Sequence, residues 1–238
     1  MGKPPAISIA VLTHNEMQEF QWLMRSLEIA KDVIDEIVII DDYSGEDFIK
    51  VVMGYAEHWP IRFFQRRLNK NFAAQRNFAK SRCSGRLILF PDADELPSAR
   101  ILVGLPSLLS WMDTENVDAC YLPRLNISLK GELRDPLTLR IEDEDHNWED
   151  QVRILRNLPS LRWVKRVDEG LAGIRTLFRF PHTSEFALLH VKTSNRIKKQ
   201  QAFYKTIKMR SLTKHWNSIA KRTFRRERTM LVDFTPPI

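Results

Sequence analysis

Across residues 6–97, short apolar runs alternate with helix-length amphipathic stretches, and three of the four runs break off in polar side chains. Ala6–Leu12 runs into Thr13-His14-Asn15-Glu16, and Glu36–Ile40 into Asp41-Asp42-Tyr43-Ser44-Gly45. Ile61–Gln65 is a further run, and Leu87–Phe90 leads into Pro91-Asp92-Ala93-Asp94-Glu95. Between them, Phe20, Leu23, Met24, Leu27 and Ala30 fall at helical spacing, and further helices are expected over 46–57 and 72–83, the latter stopped by Gly85. Strands alternating with helices imply an α/β chain with a parallel sheet built from right-handed crossovers. In such a sheet ligands bind outside the carboxyl ends of the strands. One polar strand tip is ordinary loop chemistry; three that converge on one crevice favour a nucleotide site.

The tip at Asp92 and Asp94 is the most pointed of the three. A buried strand ending in two carboxylates one residue apart has a chemical reason to do so if it holds a divalent cation. Mg²⁺ and Mn²⁺ take oxygen ligands and share their coordination with a substrate's phosphates. The bland alternative is an acidic loop after a strand.

Beyond Pro97 the alternation loosens. A helix is expected over 98–112, followed by β-type segments at 117–123, 125–129, 151–156, 161–164 and 185–191. Between them, residues 142–150 form an acidic loop without hydrophobic period, expected to fold over the crevice. From Asn195 the chain reads as helical, and Leu212, Trp216, Ile219 and Phe224 mark a basic amphipathic helix. Charge is lopsided there: Lys192–Arg228 holds 13 Lys/Arg against Glu227, a net +12, which leaves −5 for the rest of a +7 chain. A body of that charge with such a tail points to a polyanionic partner, nucleic acid or an anionic membrane surface. Cys83 and Cys120 have neither metal-ligand spacing nor a disulfide framework, which suits a reducing compartment, and Cys83 reads as core packing. No apolar run reaches the roughly 20 residues needed to cross a bilayer, and the start lacks a signal-peptide core. The expectation is a cytoplasmic protein, with attachment to the inner membrane surface as the alternative.

Four blocks, Val11–Glu16, Ile39–Asp47, Asn71–Ala79 and Leu89–Glu95, resemble in order and spacing those of family 2 glycosyltransferases with the GT-A fold. A looser resemblance continues through 151–157, 162–169 and 188–192, closest to small bacterial and phage β-glucosyltransferase-like members. The resemblance implies a GT-A catalytic domain over 1–192, with a nucleotide-sugar half at 1–97 and an acceptor half at 98–192, and leaves 193–238 as a basic helical extension. It implies that Thr13, His14, Asn15, Glu16, Asp41 and Asp42 hold the uridine and ribose, with either aspartate open to meet the base, because carboxylates accept from the uracil N–H and ribose hydroxyls. Gln75, Arg76 and Asn77 would start a helix beside the nucleotide, and Lys192 and Arg196 could face the diphosphate. Asp92, with Ala93 beside it, and Asp94 would meet the ribose and a Mn²⁺ or Mg²⁺ ion, with His190 completing the metal shell. Asp150 is the first choice for general base, with Glu149, Glu169 and Glu95 as rivals. Relatives usually carry a His where Asp168 stands here, so a role borrowed from that His does not transfer.

The reading is therefore an inverting, metal-dependent transferase that moves a hexose, glucose first, from a UDP-sugar with β linkage. Its acceptor is expected to be a hydroxymethylated pyrimidine in phage-type DNA, with a lipopolysaccharide core or other envelope saccharide as the alternative. A non-catalytic nucleic-acid or membrane-binding module on a degenerate transferase fold is the rival from another class. No obligate protein partner is implied.

Overall fold

The computed structural model describes residues 6–129, 136–138 and 148–193. The expected basic helix, Arg196, most of the acidic loop and the Lys192 side chain lie outside them. In chain order the principal elements are β1 (Ile7–Thr13), α1 (Met17–Leu27), β2 (Glu36–Asp41), α2 (Glu46–Ala56), β3 (Ile61–Gln65), α3 (Phe72–Arg82) and β4 (Leu87–Leu89). Then follow β5 (Glu95–Pro97), α4 (Ala99–Thr114), β6 (Ala119–Leu129), β7 (Trp148–Arg156), β8 (Arg162–Val164), β9 (Gly170–Ala172), β10 (Leu177–Arg179) and β11 (Leu188–Thr193).

The main sheet runs β3-β2-β1-β4-β7-β6-β11-β5, with β10 beside β6; β8 and β9 form a separate hairpin. The first four strands are parallel, as the alternation requires. β7 then enters antiparallel to both β4 and β6. The result is a mixed α/β sheet, parallel across β1 to β4 and mixed beyond them.

Strand period sorts the core into two layers. Ile7, Ile9, Val11, Ile37, Ile39, Leu87 and Leu89 pack with α1, α2 and α4. Ala10, Val38, Ile40 and Ile88 pack on the opposite face with Ala73 and Ala79 of α3 and with Trp163 and Leu171 of the β8–β9 hairpin. Both sides of these strands are buried, which explains their nearly continuous apolar runs.

Four expectations need correction. Segments 117–123 and 125–129 are one strand, β6, with an irregularity at Cys120/Tyr121. Arg124 falls between the two expected segments, yet the strand runs on through it, with Arg124 ion-paired to Glu95 (3.2 Å) and to Glu149 across the β6–β7 ladder. Residues 148–150 belong to β7 rather than to a covering loop, with Glu149 opposite Arg124 and Asp150 opposite Pro123. The late segment expected over 185–191 begins as a strand at Leu188, after a short turn at Ser184–Phe186. Gly85 does not cap α3, which ends at Arg82 with Cys83 as its C-cap. Its service is close approach: a Cβ there would come within 2.7 Å of the Ser8 nitrogen.

Candidate functional site

A cleft of about 970 Å³ opens at the carboxyl ends of β1, β2 and β4 and is walled on its far side by β6, β7 and the β8–β9 hairpin. Thr13 to Glu16, Asp42 and Asp92 to Asp94 all line it, so the three polar tips meet in one place.

The first two tips are zipped together beneath the wall. Asp41 is fully buried; it accepts from Thr13 Oγ1 (3.2 Å), from Ser44 N (2.8 Å) and Oγ, and from Gln65 Nε2 (3.2 Å). Asn15 takes the Gly45 N–H on its Oδ1 (2.8 Å) and gives its own N–H to Ser44 Oγ (2.7 Å). Asn15 and Tyr43 hold φ of 58° and 53°, a left-handed conformation imposed on non-glycine residues at the rim. With Asp41 committed to shaping this loop, Asp42 is the aspartate left on the cleft wall.

Asp92 sits on a seam of arginines. Its Oδ1 accepts from Arg76 Nη2 (2.6 Å) and its Oδ2 from Arg153 Nη2 (2.8 Å). Arg153 also donates to both oxygens of Glu95 (2.7 and 2.8 Å), which has no exposed surface. Burial alone would raise both carboxyls, but the guanidiniums of Arg153, Arg76 and Arg124 outweigh it and hold Asp92 well below the usual carboxylate range, with Glu95 lowered too. Glu95 is thereby removed from the candidates for base, since its oxygens are buried and taken. Arg76 lies over the Trp163 ring (5.2 Å), and its Nε and Nη1 make no hydrogen bond although they are buried. A guanidinium that lines the cleft and is held by Asp92 and Glu169 places fixed positive charge beside any anionic ligand there.

Asp94 and His190 form the second centre. His190 Nε2 stands 3.3 Å from Asp94 Oδ2, both side chains buried. On its other side, Nδ1 meets Asn126 Oδ1 at 2.6 Å. Asn126 donates its amide to Glu149, which turns its carbonyl oxygen toward the ring. An imidazole nitrogen and a carboxylate oxygen at this separation can share a cation. A carboxylate, an oriented imidazole and room for phosphate oxygens form a donor set suited to Mn²⁺ or Mg²⁺. Among the described residues no group of three or more His, Cys, Asp or Glu side chains gathers as a cation site.

The remaining carboxylates differ in their surroundings. Asp150 is ion-paired with Arg179 and lies 3.0 Å from His182 Nε2; His182 stacks on Trp148 and Arg179 on Tyr121. Glu149 is engaged by Arg124, and burial is outweighed there so that its carboxyl is lowered. Glu169, on the hairpin loop, moves the other way. Burial raises it, Arg76 at 3.8 Å pulls it down, Asp92 pushes it up again, and the net direction is upward.

Other expected residues are placed as follows. Ala93 and Gln75 line the cleft; Gln75 is buried and clasps Arg66 through both amide atoms. Asn77 does not line it: its amide pairs with the Trp163 main chain (2.8 Å both ways), pinning the hairpin to α3. Arg153, Arg124 and Asn126 are site residues that sequence reasoning misses. Arg153 occupies the Gln-x-Arg block and is readable there, whereas Asn126 sits inside an apolar run with no signal of its own.

A family model for glycosyl transferase family 2 matches residues 8–183. The uncharacterized glycosyltransferase YibD of Escherichia coli K12 is 23% identical over 161 residues, covering 62% of this chain and 47% of that protein. The chain thus spans about half the length of the curated relative it matches. Among solved structures, Staphylococcus aureus TarS 1-349 in complex with UDP-GlcNAc is 21% identical with a TM-score of 0.44, over 54% of this chain and 36% of that one. The mannosyltransferase PcManGT of Pyrobaculum calidifontis, in complex with GDP-Man and Mn²⁺, is 21% identical with a TM-score of 0.43, over 50% and 36%.

Proposed function

Because the chain belongs to glycosyl transferase family 2, we propose that it is an inverting, metal-dependent hexosyltransferase that uses a UDP-sugar, glucose first, and forms a β linkage. The observation that carries this reading is the meeting, in one cleft, of three strand tips, the Asp94–His190 pair and the Arg76 guanidinium. Thr13 to Glu16 and Asp42 receive the uridine, with Asp41 shaping the loop beneath. Arg76 and Asp92 face the ribose and diphosphate. Asp94 and His190 would hold Mn²⁺ or Mg²⁺, which supplies neutralising charge to the departing diphosphate.

Transfer needs a base for the acceptor proton as the hydroxyl oxygen bonds to the anomeric carbon and the bond to UDP breaks. Sequence order favours Asp150, but its carboxylate is committed to Arg179 and His182. Glu169 lines the same cleft, and its surroundings raise its basicity. We assign the proton to Glu169. The acceptor is a hydroxymethylated pyrimidine of DNA ahead of a lipopolysaccharide core saccharide, on the charge of segment 192–228.

Labelled UDP-sugars offered with hydroxymethylated DNA, plain DNA and lipopolysaccharide core test donor and acceptor together. Label on saccharide and on no DNA would reject the DNA reading. Chelation should abolish transfer and Mn²⁺ or Mg²⁺ restore it, while Asp94→Ala should lose activity and keep its fold. Full activity in chelator would sink the metal assignment.

A further inference from the structure

Charge divides between the two faces of the sheet. Residues 16–57, which supply α1, β2 and α2, hold eleven Asp/Glu and three Lys/Arg. Residues 61–82, which supply β3 and α3, hold seven Lys/Arg and no acid. Residues 157–167, which run through β8, hold three Lys/Arg and again no acid. The two acid-free stretches are joined: Asn77 exchanges hydrogen bonds with the Trp163 main chain, and the Phe72 N–H bonds to the Arg166 carbonyl (3.0 Å).

On this face three guanidiniums share two rings. Phe64 and Phe78 meet edge to face at 6.2 Å. Arg62 lies 5.7 Å from Phe64, Arg66 5.3 Å from Phe78, and Arg82 reaches both, at 5.4 and 4.7 Å. Arg67 stacks on Tyr43 at 4.6 Å. Arg62 is paired with the buried Glu36, but among the described residues no carboxylate pairs with Arg66, Arg67, Arg82, Arg162 or Arg166. Like charges crowded without counter-charge repel, and an anion laid across them would relieve that repulsion. A stacked guanidinium spends its face on the ring and keeps its N–H edge for hydrogen bonds.

Residue choice separates the polyanions that could supply the anion. A diffuse anionic membrane is served by lysine as well as by arginine. Discrete phosphates reward the arginine fork. This face presents Arg62, Arg66, Arg67, Arg82, Arg162 and Arg166 against Lys70 and Lys165, with Lys80 engaged by the Leu158 carbonyl (2.8 Å).

We propose that the face formed by β3, α3 and β8 is a docking surface for the phosphate backbone of nucleic acid. It rests on the acceptor reading above for its setting, and it adds phosphate contacts on the catalytic body to those expected of the C-terminal segment.

The test uses the full chain with Arg67, Arg82 and Arg166 changed together to Gln; none of the three lines the cleft. Binding of a fluorescent, unmodified duplex is followed by anisotropy across a salt series. Affinity should fall by roughly 10-fold or more, and the slope of log affinity against log salt should become shallower by about 3, near one for each phosphate no longer neutralised. Melting temperature and UDP-sugar hydrolysis should hold. Unchanged affinity and slope would overturn the proposal, as would loss of binding to phosphatidylglycerol vesicles with duplex binding intact. The two readings fail separately. If the variant loses duplex binding while the intact protein glycosylates no hydroxymethylated DNA, the acceptor reading falls and the surface stands. If DNA is glycosylated and the variant binds duplex as before, the surface falls alone.

Discussion

Glu169 differs from the other cleft carboxylates in the direction its surroundings push it. Asp92, Glu95 and Glu149 are each lowered by guanidiniums that outweigh burial, while for Glu169 burial prevails. A base works best with a pKa near the working pH, so Glu169→Gln should lower turnover by roughly 10²–10⁴ with UDP binding preserved. Asp150→Asn, measured beside it, should cost less, because Asp150 spends its charge on Arg179 and His182. The reverse order of losses would return the role to Asp150. Stability supplies an independent readout with a definite sign. A folded-state pKa above the ordinary glutamate value of 4.5 means that Glu169's contribution is fully present below that value. It is lost as pH rises through the raised one. Glu169→Gln should therefore melt higher than the parent near neutral pH, and the difference should close below the ordinary glutamate value. The substitution trades activity for stability, as functional sites often do.

At the scale of elements, the junction of β1, β2, β3 and the α3–β4 turn hangs on another glutamate. Glu36 Oε1 accepts from Ser8 Oγ (2.6 Å), Ser84 Oγ (2.8 Å) and Ser84 N (2.5 Å), and Oε2 from Arg62 (2.7 Å). Burial raises this carboxyl, but those donors outweigh it and bring it from 4.5 down to about 2. Here the sign is opposite to Glu169: the stabilisation is present above 4.5 and is lost as pH falls toward 2. Glu36→Gln should destabilise by about 2 kcal/mol at neutral pH, the worth of hydrogen bonds to a charged group. The deficit should shrink in acid melts; an equal deficit at both pH values would refute the charge argument. Glu36 also shows where sequence reading reaches its limit. Strands β1, β2 and β4 are legible because each, buried on both faces, leaves an apolar run that ends where its tip meets the cleft. Glu36 looks like the start of such a run, and its partners Ser8, Arg62 and Ser84 lie far along the chain. The same holds for Asn126 and His190, adjacent across the β6–β11 register yet 64 residues apart. Strands β5, β9 and β10 have three residues each, too few for a period to declare itself. Arg124 conceals the continuity of β6 because its ion-pair partners lie on other strands.

At the scale of the whole molecule, the described body and the basic segment 192–228 divide the labour. No described helix is long and apolar enough to cross a membrane. The described lining of the cleft falls within residues 12–174, whereas the net positive charge lies after it, where residues 175–238 hold 15 Lys/Arg against three Asp/Glu. Neutralising Lys221, Arg222, Arg225 and Arg226 together should weaken duplex binding and flatten its salt dependence by up to about 4, since fewer neutralised phosphates mean fewer counterions released on binding. UDP-sugar hydrolysis should be unchanged, because the four substituted positions lie far along the chain from the described cleft lining, which ends at Ile174. Combined with the three substitutions on the β3, α3 and β8 face, the slope changes should add, as they do for independent sites. A polymer spanning both surfaces requires that additivity. If the four substitutions abolish binding to anionic vesicles and leave the duplex salt slope intact, the segment is a membrane tether, and the nucleic acid is held by the catalytic body alone.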